Sequence, residues 1–518
     1  MKSSTLKSHI EAGLVYFDGG TGSVLASMGL SAGERPEVWS LTHPDEIRAL
    51  HTAYFRAGAN IVKTNTFGAN PLHYDEATLE RIVRSAVSLA REARDGTVGD
   101  GEGFIALDIG PLGVLFEPYG TMTFDKAVEA FSHVVRIGRD AGADCILIET
   151  MTDSYETKAA VLAAKENADL PVFVTNSYDA KGRLMMGASA DVMVALLEGL
   201  GVDAIGMNCS TGPSAMLPTV REICKYASVP VIVNPNAGLP RVDDSGNTVY
   251  DLSPEEFAEA VREIVRAGAR LIGGCCGTTP DYIRATVDRT RGMEPVPLTK
   301  KPRTVIASSK KTVEFTARRT VSIGDLLSSE GKTILKEALE AGDVDTFIEL
   351  AEAQEDEDAE VISVNAGRLE PDEKTLLRDT VKELQGVTSL PLMVETDDVC
   401  AMENALRYYN GKALIGAVSG TDESMDGVFP LAKKYGGVVV ALTCDENGVP
   451  DTAEERVAIA ERILARAQEY GLSACDLLFD PLSENAFMAA AEAARRIRTE
   501  MGCCTTVGES SQGEAARI

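Results

Sequence analysis

Leu271-Ile272-Gly273-Gly274-Cys275-Cys276-Gly277-Thr278-Thr279-Pro280 is a short apolar run that opens into a glycine-framed pair of cysteines. The apolar start reads as a strand. The glycines permit a sharp turn and a close backbone approach without Cβ clashes. A second segment has the same grammar: the apolar run 204–208 ends in Asn208-Cys209-Ser210-Thr211-Gly212-Pro213. Working outward, six more such runs precede or separate these two, at 14–18, 60–65, 104–108, 145–149, 171–175 and 230–234. They are rich in Val, Ile and small apolar residues and do not alternate strictly, as expected of strands buried on both faces. Helical periodicity fills the gaps. In 44–58 the residues Ile47, Leu50, Tyr54 and Phe55 form one stripe, and 125–142 carries another. Eight strands alternating with helices predict an α/β fold of the TIM, or (β/α)8, barrel type.

In such barrels the active site lies at the carboxyl ends of the strands. The polar signatures fall there. Asp18-Gly19-Gly20-Thr21-Gly22 ends strand one, Lys63-Thr64-Asn65-Thr66-Phe67-Gly68 strand two, and Asp108-Ile109-Gly110-Pro111 strand three. Glu149-Thr150 ends strand four, Asn208-Cys209 strand six, Asn234-Pro235-Asn236-Ala237-Gly238 strand seven and Cys275-Cys276 strand eight.

The chain has 518 residues, room for two barrels, with 79 acidic against 50 basic side chains and a net charge of -29. That balance argues against non-specific nucleic-acid binding. No apolar run approaches the roughly 18 residues of a membrane span. The polar first eleven residues lack the apolar core of a signal peptide. The expected location is the cytoplasm, where the ten cysteines are free thiols or metal ligands rather than disulfides.

A basic stretch, 292–319, separates the first series (1–291) from a second (320–518) and is expected to be a solvated linker. The second series shows seven strand candidates, at 321–324, 360–365, 391–395, 413–418, 436–443, 476–480 and 504–507, followed by a polar tail. The expectation is two TIM barrels in tandem, the second incomplete or degenerate.

Cys209, Cys275 and Cys276, converging from two strand ends, would form an open zinc site with one position left for a reacting ligand. A free alkyl thiol is only a few per cent thiolate at pH 7, and binding to Zn²⁺ deprotonates it. Three thiolate ligands keep a bound sulfur electron-rich, which favours attack by sulfur on carbon over hydrolysis. The cysteine pair alone would also fit two buried thiols or a vicinal disulfide.

The motifs Asp18–Gly22, Thr64–Gly68, Asp108–Pro111, Asn208–Ser210, Pro235–Gly238 and the 273–280 turn, taken together, resemble the homocysteine S-methyltransferase family. In order and spacing they are most similar to the homocysteine-binding module of cobalamin-dependent methionine synthases. The resemblance covers roughly 10–290. It implies a zinc-containing barrel that transfers a methyl group to homocysteine sulfur, with Cys209, Cys275 and Cys276 as zinc ligands. It makes Asn236 a candidate fourth ligand when substrate is absent; the other reading is a turn residue. Glu149 would pair with the substrate ammonium. Asp18 would share that role or order the first loop, and backbone N–H groups of Gly19, Gly20 and Thr21 could receive the carboxylate.

The second series is similar in outline to the pterin-binding barrel of the same synthases, which carries methyltetrahydrofolate. Its polar residues depart from that pattern: Gly324-Asp325-Leu326-Leu327-Ser328 at strand one, Ser363-Val364-Asn365 at strand two, Glu395 at strand three and Gly416 at strand four. Asn365 and Asp480 remain as pterin contacts. Each lost partner to a buried polar edge costs about 1–3 kcal/mol, so use of methyltetrahydrofolate is not expected. No histidine lies beyond His133, so no cobalamin-binding histidine loop is visible. The expected donor is methylcobalamin on a separate corrinoid protein. The alternatives are a small-molecule donor (S-methylmethionine, S-adenosylmethionine or a betaine), methyltetrahydrofolate if the second domain still binds it, and a non-catalytic adaptor for a corrinoid protein.

Overall fold

A computed structural model describes residues 2–31, 33–99, 101–242, 248–316, 319, 321–325, 334, 337–338, 341, 343–365, 373–482, 486–506 and 516–517. The chain forms two compact units, Met1–Leu197 with Val202–Lys301, and Pro302–Ile518 with Glu198–Gly201.

In the first unit the expected runs become β1 (Val15–Tyr16), β2 (Ile61–Lys63), β3 (Phe104–Ile109), β4 (Cys145–Met151), β5 (Val172–Asn176), β6 (Ala204–Asn208) and β7 (Val231–Asn234). A short antiparallel hairpin follows, β8 (Pro240–Val242) with β9 (Thr248–Tyr250), and then β10 (Leu271–Ile272). The sheet runs β1-β10-β7-β6-β5-β4-β3-β2 and every pairing in it is parallel. It closes because Phe17 bridges Ile61 and the Asp18 N–H donates to the Ile61 carbonyl at 3.0 Å. The helices lie where the stripes predicted them. Pro44–Ala57 and Phe124–Ala141 each stop at a glycine in the left-handed region, Gly58 (φ 105°) and Gly142 (φ 93°), which frees the chain to turn into the next strand.

The amino end of the barrel is filled by the helix Lys2–Ala12. Its Leu6 and Ile10 join Val15, Ile61, Phe104, Cys145 and Leu271 in one core cluster. That packing closes one end, so the polar strand ends face a cavity at the other.

In the second unit the parallel strands are β13 (Ser322–Asp325), β14 (Val361–Asn365), β15 (Leu392–Glu395), β16 (Leu414–Val418), β17 (Val438–Leu442), β18 (Leu477–Asp480) and β19 (Cys504–Thr505). These are the seven expected strands, and they make an incomplete barrel. An eighth strand, β20 (Ala516–Arg517), pairs antiparallel with β13. This strand comes from the polar tail that follows the seven expected strands.

The stretch expected to be a bare linker is structured. Within it β11 (Thr304–Ala307) and β12 (Thr312–Phe315) form an antiparallel hairpin. Ile306, Val313 and Phe315 pack into the core of the second unit with Val361, Leu414, Val438 and Leu478. Ala307 exchanges two 2.9 Å backbone hydrogen bonds with Lys412, just before β16. The basic residues masked this: Lys310 and Lys311 lie at the hairpin turn, while the alternating apolar side chains point inward.

Candidate functional site

The three cysteines meet at the carboxyl end of the first barrel. Their sulfur atoms all lie within 4.8 Å of one another, and Cys209 Sγ is 3.5 Å from Cys276 Sγ. Cys209 sits directly after β6 in the left-handed region (φ 54°), an uncommon conformation for a residue with a Cβ. Its N–H donates to the Asn234 carbonyl at 3.2 Å, which pins the turn to β7. The other two sulfurs come from the glycine-framed turn after β10. Cys275 N–H donates to the Pro235 carbonyl at 2.8 Å, and the Cys276 carbonyl accepts from Ala237 N–H at 2.9 Å. Asn236 ties the turns together. Its Nδ2 donates to the Cys209 carbonyl at 3.2 Å and its Oδ1 accepts from Cys276 N–H at 3.1 Å.

The glycine turn after β1 packs on the same loop. Gly20 N–H donates to the Thr278 carbonyl at 2.9 Å, and a Cβ on Gly20 would lie 2.5 Å from the Cys275 carbonyl oxygen. Gly20 therefore serves the close approach of two backbones.

Three thiols this close cannot all ionise without a cation. Hydrogen bonds from Cys209 and Cys275 pull the Cys276 thiol well below the ordinary thiol range, against the effect of burial. Cys275 is pushed well above the ordinary thiol range by its hydrogen bonds to Cys209 and Cys276 and by burial. Four-coordinate zinc with bonds of about 2.3 Å spaces its sulfurs about 3.8 Å apart, so the cluster fits a thiolate-bound metal in donor type and spacing.

A cavity of about 440 Å³ opens above the sulfurs. Its walls include Gly20, Thr21, Lys63, Asp108, Glu149 and the three cysteines, with Arg35 just before, and Glu37 within, the 3-10 turn Pro36–Val38. Glu149 reaches it from β4, beside Thr150 (φ 62°). Asn208 fixes that end by accepting from Thr150 N–H at 2.9 Å and donating to its hydroxyl at 2.7 Å. Asp18, expected to share the substrate ammonium or to order the first loop, and Gly19, expected to offer its N–H, do not line the cavity. Asp18 is fully buried and accepts from Lys63 N–H at 2.9 Å, so it orders the β1–β2 junction. Burial raises its pKa to about 7, although Lys63 opposes the shift. Burial, with Glu149 adding, also raises Asp108 well above the usual carboxylate range.

Lys63 is the residue that the sequence reading passed over. Its ammonium lies 3.5 Å from Glu149 Oε2 and 3.9 Å from Asp18 Oδ1, with only 4% of the side chain exposed. A charged residue at the last position of a strand buried on both faces was the signal available for it.

In the second unit Asn365 ends β14 and Asp480 ends β18, on the same rim but four strands apart. Asp480 Oδ1 accepts from Leu482 N–H at 2.8 Å. Ser363 donates to Glu395 at 3.2 Å, and Met393 fills the space where a side chain at Gly416 would begin. Residues 326–328 of the expected first-strand motif lie outside the described residues.

A closed parallel barrel with three thiols gathered at its carboxyl rim, beside a cavity lined by Lys63, Asp108 and Glu149, defines a protein of the (β/α)8 class whose cysteines could hold a thiophilic metal. The chain belongs to the homocysteine S-methyltransferase family, whose model matches residues 15–290. A pterin binding enzyme model matches 331–509. Among curated proteins it is similar to the methionine synthases of Mycobacterium leprae (31% identical over 470 residues) and Mycobacterium tuberculosis (30% over 465). Each alignment covers 86% of this chain, which spans 39% of the length of either relative. Among solved structures it is similar to the homocysteine methyltransferase MmuM from Escherichia coli in its metallated form. That match has 25% identity and a TM-score of 0.46, covering 54% of this chain and 96% of that one.

Proposed function

We propose that the first unit takes homocysteine as a methyl acceptor, with Cys209, Cys275 and Cys276 holding a zinc ion, and that the methyl group comes from methylcobalamin on a separate corrinoid protein. The observation that carries this reading is the three-sulfur cluster opening directly onto the cavity that Glu149 lines. Zinc held by three thiolates would keep an incoming thiol deprotonated near neutral pH and its sulfur nucleophilic. Glu149 is the cavity carboxylate that would receive the substrate ammonium, and Asn208 keeps it aimed. Methylcobalamin would supply the methyl group as an electrophile, its Co–CH₃ bond being exchanged for the S–CH₃ bond of methionine with the electron pair left on cobalt, while Glu149 and the three cysteines hold the acceptor.

A protein-borne donor is supported by the loops around the mouth. Phe67, Leu115, Tyr119, Met185 and Leu239, from the loops after β2, β3, β5 and β7, are exposed large apolar side chains. In the second unit the departures from the pterin-binding pattern at Glu395 and at Gly416, where Met393 fills the space a side chain would take, support a domain that no longer uses methyltetrahydrofolate. No helix among the described residues is long and apolar enough to cross a membrane. The ten cysteines are all free thiols, which fits a cytoplasmic protein.

The test is zinc content and homocysteine-dependent demethylation of free methylcobalamin. One zinc per chain and turnover that disappears in Cys275→Ala are expected. Zinc-free protein, or a fully active C275A variant, overturns the metal reading. Intact zinc with turnover only on a small-molecule donor overturns the corrinoid donor.

A further inference from the structure

We propose that Lys63 is the seat for the substrate's carboxylate, so that Lys63 and Glu149 together read the zwitterion of an α-amino acid. This rests on the acceptor reading above and adds the residue that distinguishes an amino-acid thiol from a simple one.

Lys63 and Glu149 both have unfilled hydrogen-bonding capacity. A lysine ammonium has three donors, and a buried charge is tolerated only when it is paired and hydrogen-bonded. Lys63 makes one long hydrogen bond with its ammonium, to Glu149 at 3.5 Å, and its approach to Asp18 at 3.9 Å is too long to count as one. Glu149 receives that single bond in return, while Asp18 Oδ1 has no hydrogen-bond partner. Lys63 nonetheless remains a cation. Burial works against its charge, but Glu149 and Asp18 outweigh burial and hold its pKa well above the ordinary value. The ion pair is thus buried, charged and short of partners, and both of its members line the cavity over the sulfurs.

A zwitterion completes both halves. Its ammonium would donate to Glu149 and its carboxylate would accept from Lys63, lying head to tail along the existing pair. The other seat considered, the glycine turn, is partly closed: Gly20 N–H already donates to Thr278, and Gly19 does not line the cavity. Asp18 stands behind Lys63, where it steadies the lysine instead of meeting the ligand.

The test compares two thiols on the zinc-loaded full chain by calorimetric titration: homocysteine, and 3-aminopropane-1-thiol, which keeps the ammonium and lacks the carboxylate. Wild-type protein should prefer homocysteine by roughly 10- to 100-fold, the worth of a hydrogen bond to a charged group. Lys63→Gln and Lys63→Met should each erase most of that preference, because they lower affinity for homocysteine far more than affinity for the aminothiol. Lys63→Arg should keep it, since the cation remains. Two neutral variants are used so that one folded, zinc-loaded protein suffices. A preference that survives in the neutral variants, or an equal loss for both thiols, overturns the carboxylate seat and leaves Lys63 a structural counter-ion. Wild-type protein that binds neither thiol overturns the acceptor reading itself, and this proposal with it.

Discussion

Asn236 spans Cys209 and Cys276, donating from Nδ2 to one backbone and accepting at Oδ1 from the other. Both ends of the amide are therefore in use, and it acts as a bracket between the turns after β6 and β10. A residue that orients metal ligands from outside the coordination shell commonly costs about 10- to 100-fold in metal affinity when removed. Asn236→Ala should lower zinc affinity by that order in competition with a chelator. Asn236→Asp separates bracket from ligand. As a bracket it should also lose affinity, because a carboxylate oxygen would then face the Cys209 carbonyl. As a metal ligand a carboxylate would retain zinc, and that outcome would sink the bracket.

Gly20 approaches the same loop from β1. A methyl group there would meet the Cys275 carbonyl at 2.5 Å, and a backbone atom cannot swing aside as a flexible side chain can. Gly20→Ala should displace the turn, reducing both zinc occupancy and stability by about 1–3 kcal/mol, the usual range for overpacking. Unchanged zinc content and thermal midpoint would show that the two turns separate freely.

Most of the first barrel was legible because its strands are continuous apolar runs and its chemistry sits at their ends. The cysteines stood out for the same reason: three thiols in glycine-framed turns carry a signal that survives without coordinates. Asp18 and Lys63 were harder. A strand-end carboxylate looks the same in sequence whether it faces the cavity or lies behind a lysine, and only closure of β1 against β2 decides between them. The hairpin 304–315 was missed because its charges sit at the turn and its edges, and composition averaged over the stretch hides an alternation of two.

Glu156 offers a titration remote from the sulfurs. It lies in the first turn of the helix Ser154–Asn167 and accepts from Leu112 N–H at 2.7 Å. Burial raises its pKa from 4.5 to about 7; the Leu112 bond opposes this and Asp153 adds to it. Between these values the folded chain holds a proton that the unfolded chain releases. The resulting stabilisation is complete below about pH 4.5 and is lost as pH rises through about 7. Glu156→Gln, which stays neutral, should therefore gain about 1–3 kcal/mol relative to wild type between pH 5 and pH 8, read from urea midpoints. A difference between variant and wild type that is constant across that range would refute a raised Glu156.

The hairpin of β11 and β12 gives the sharpest contrast between a connector and a core element. Ile306 and Val313 are fully buried against Val361, Leu414, Val438 and Leu478, at the end of the second unit opposite Asn365 and Asp480. Its backbone is fixed as well, by the pair of bonds between Ala307 and Lys412 and by the Tyr409 hydroxyl donating to the Ala307 carbonyl at 3.0 Å. Truncating a buried isoleucine to alanine removes its contacts and leaves a cavity, at a cost of about 2–5 kcal/mol. Ile306→Ala should lower the stability of the second unit by that amount while zinc content and homocysteine affinity stay at wild-type values. Those two readouts belong to residues of the first unit, so they separate local damage from general misfolding. A solvated linker would show no change in either transition, and an I306A variant with wild-type unfolding would return the stretch to that role.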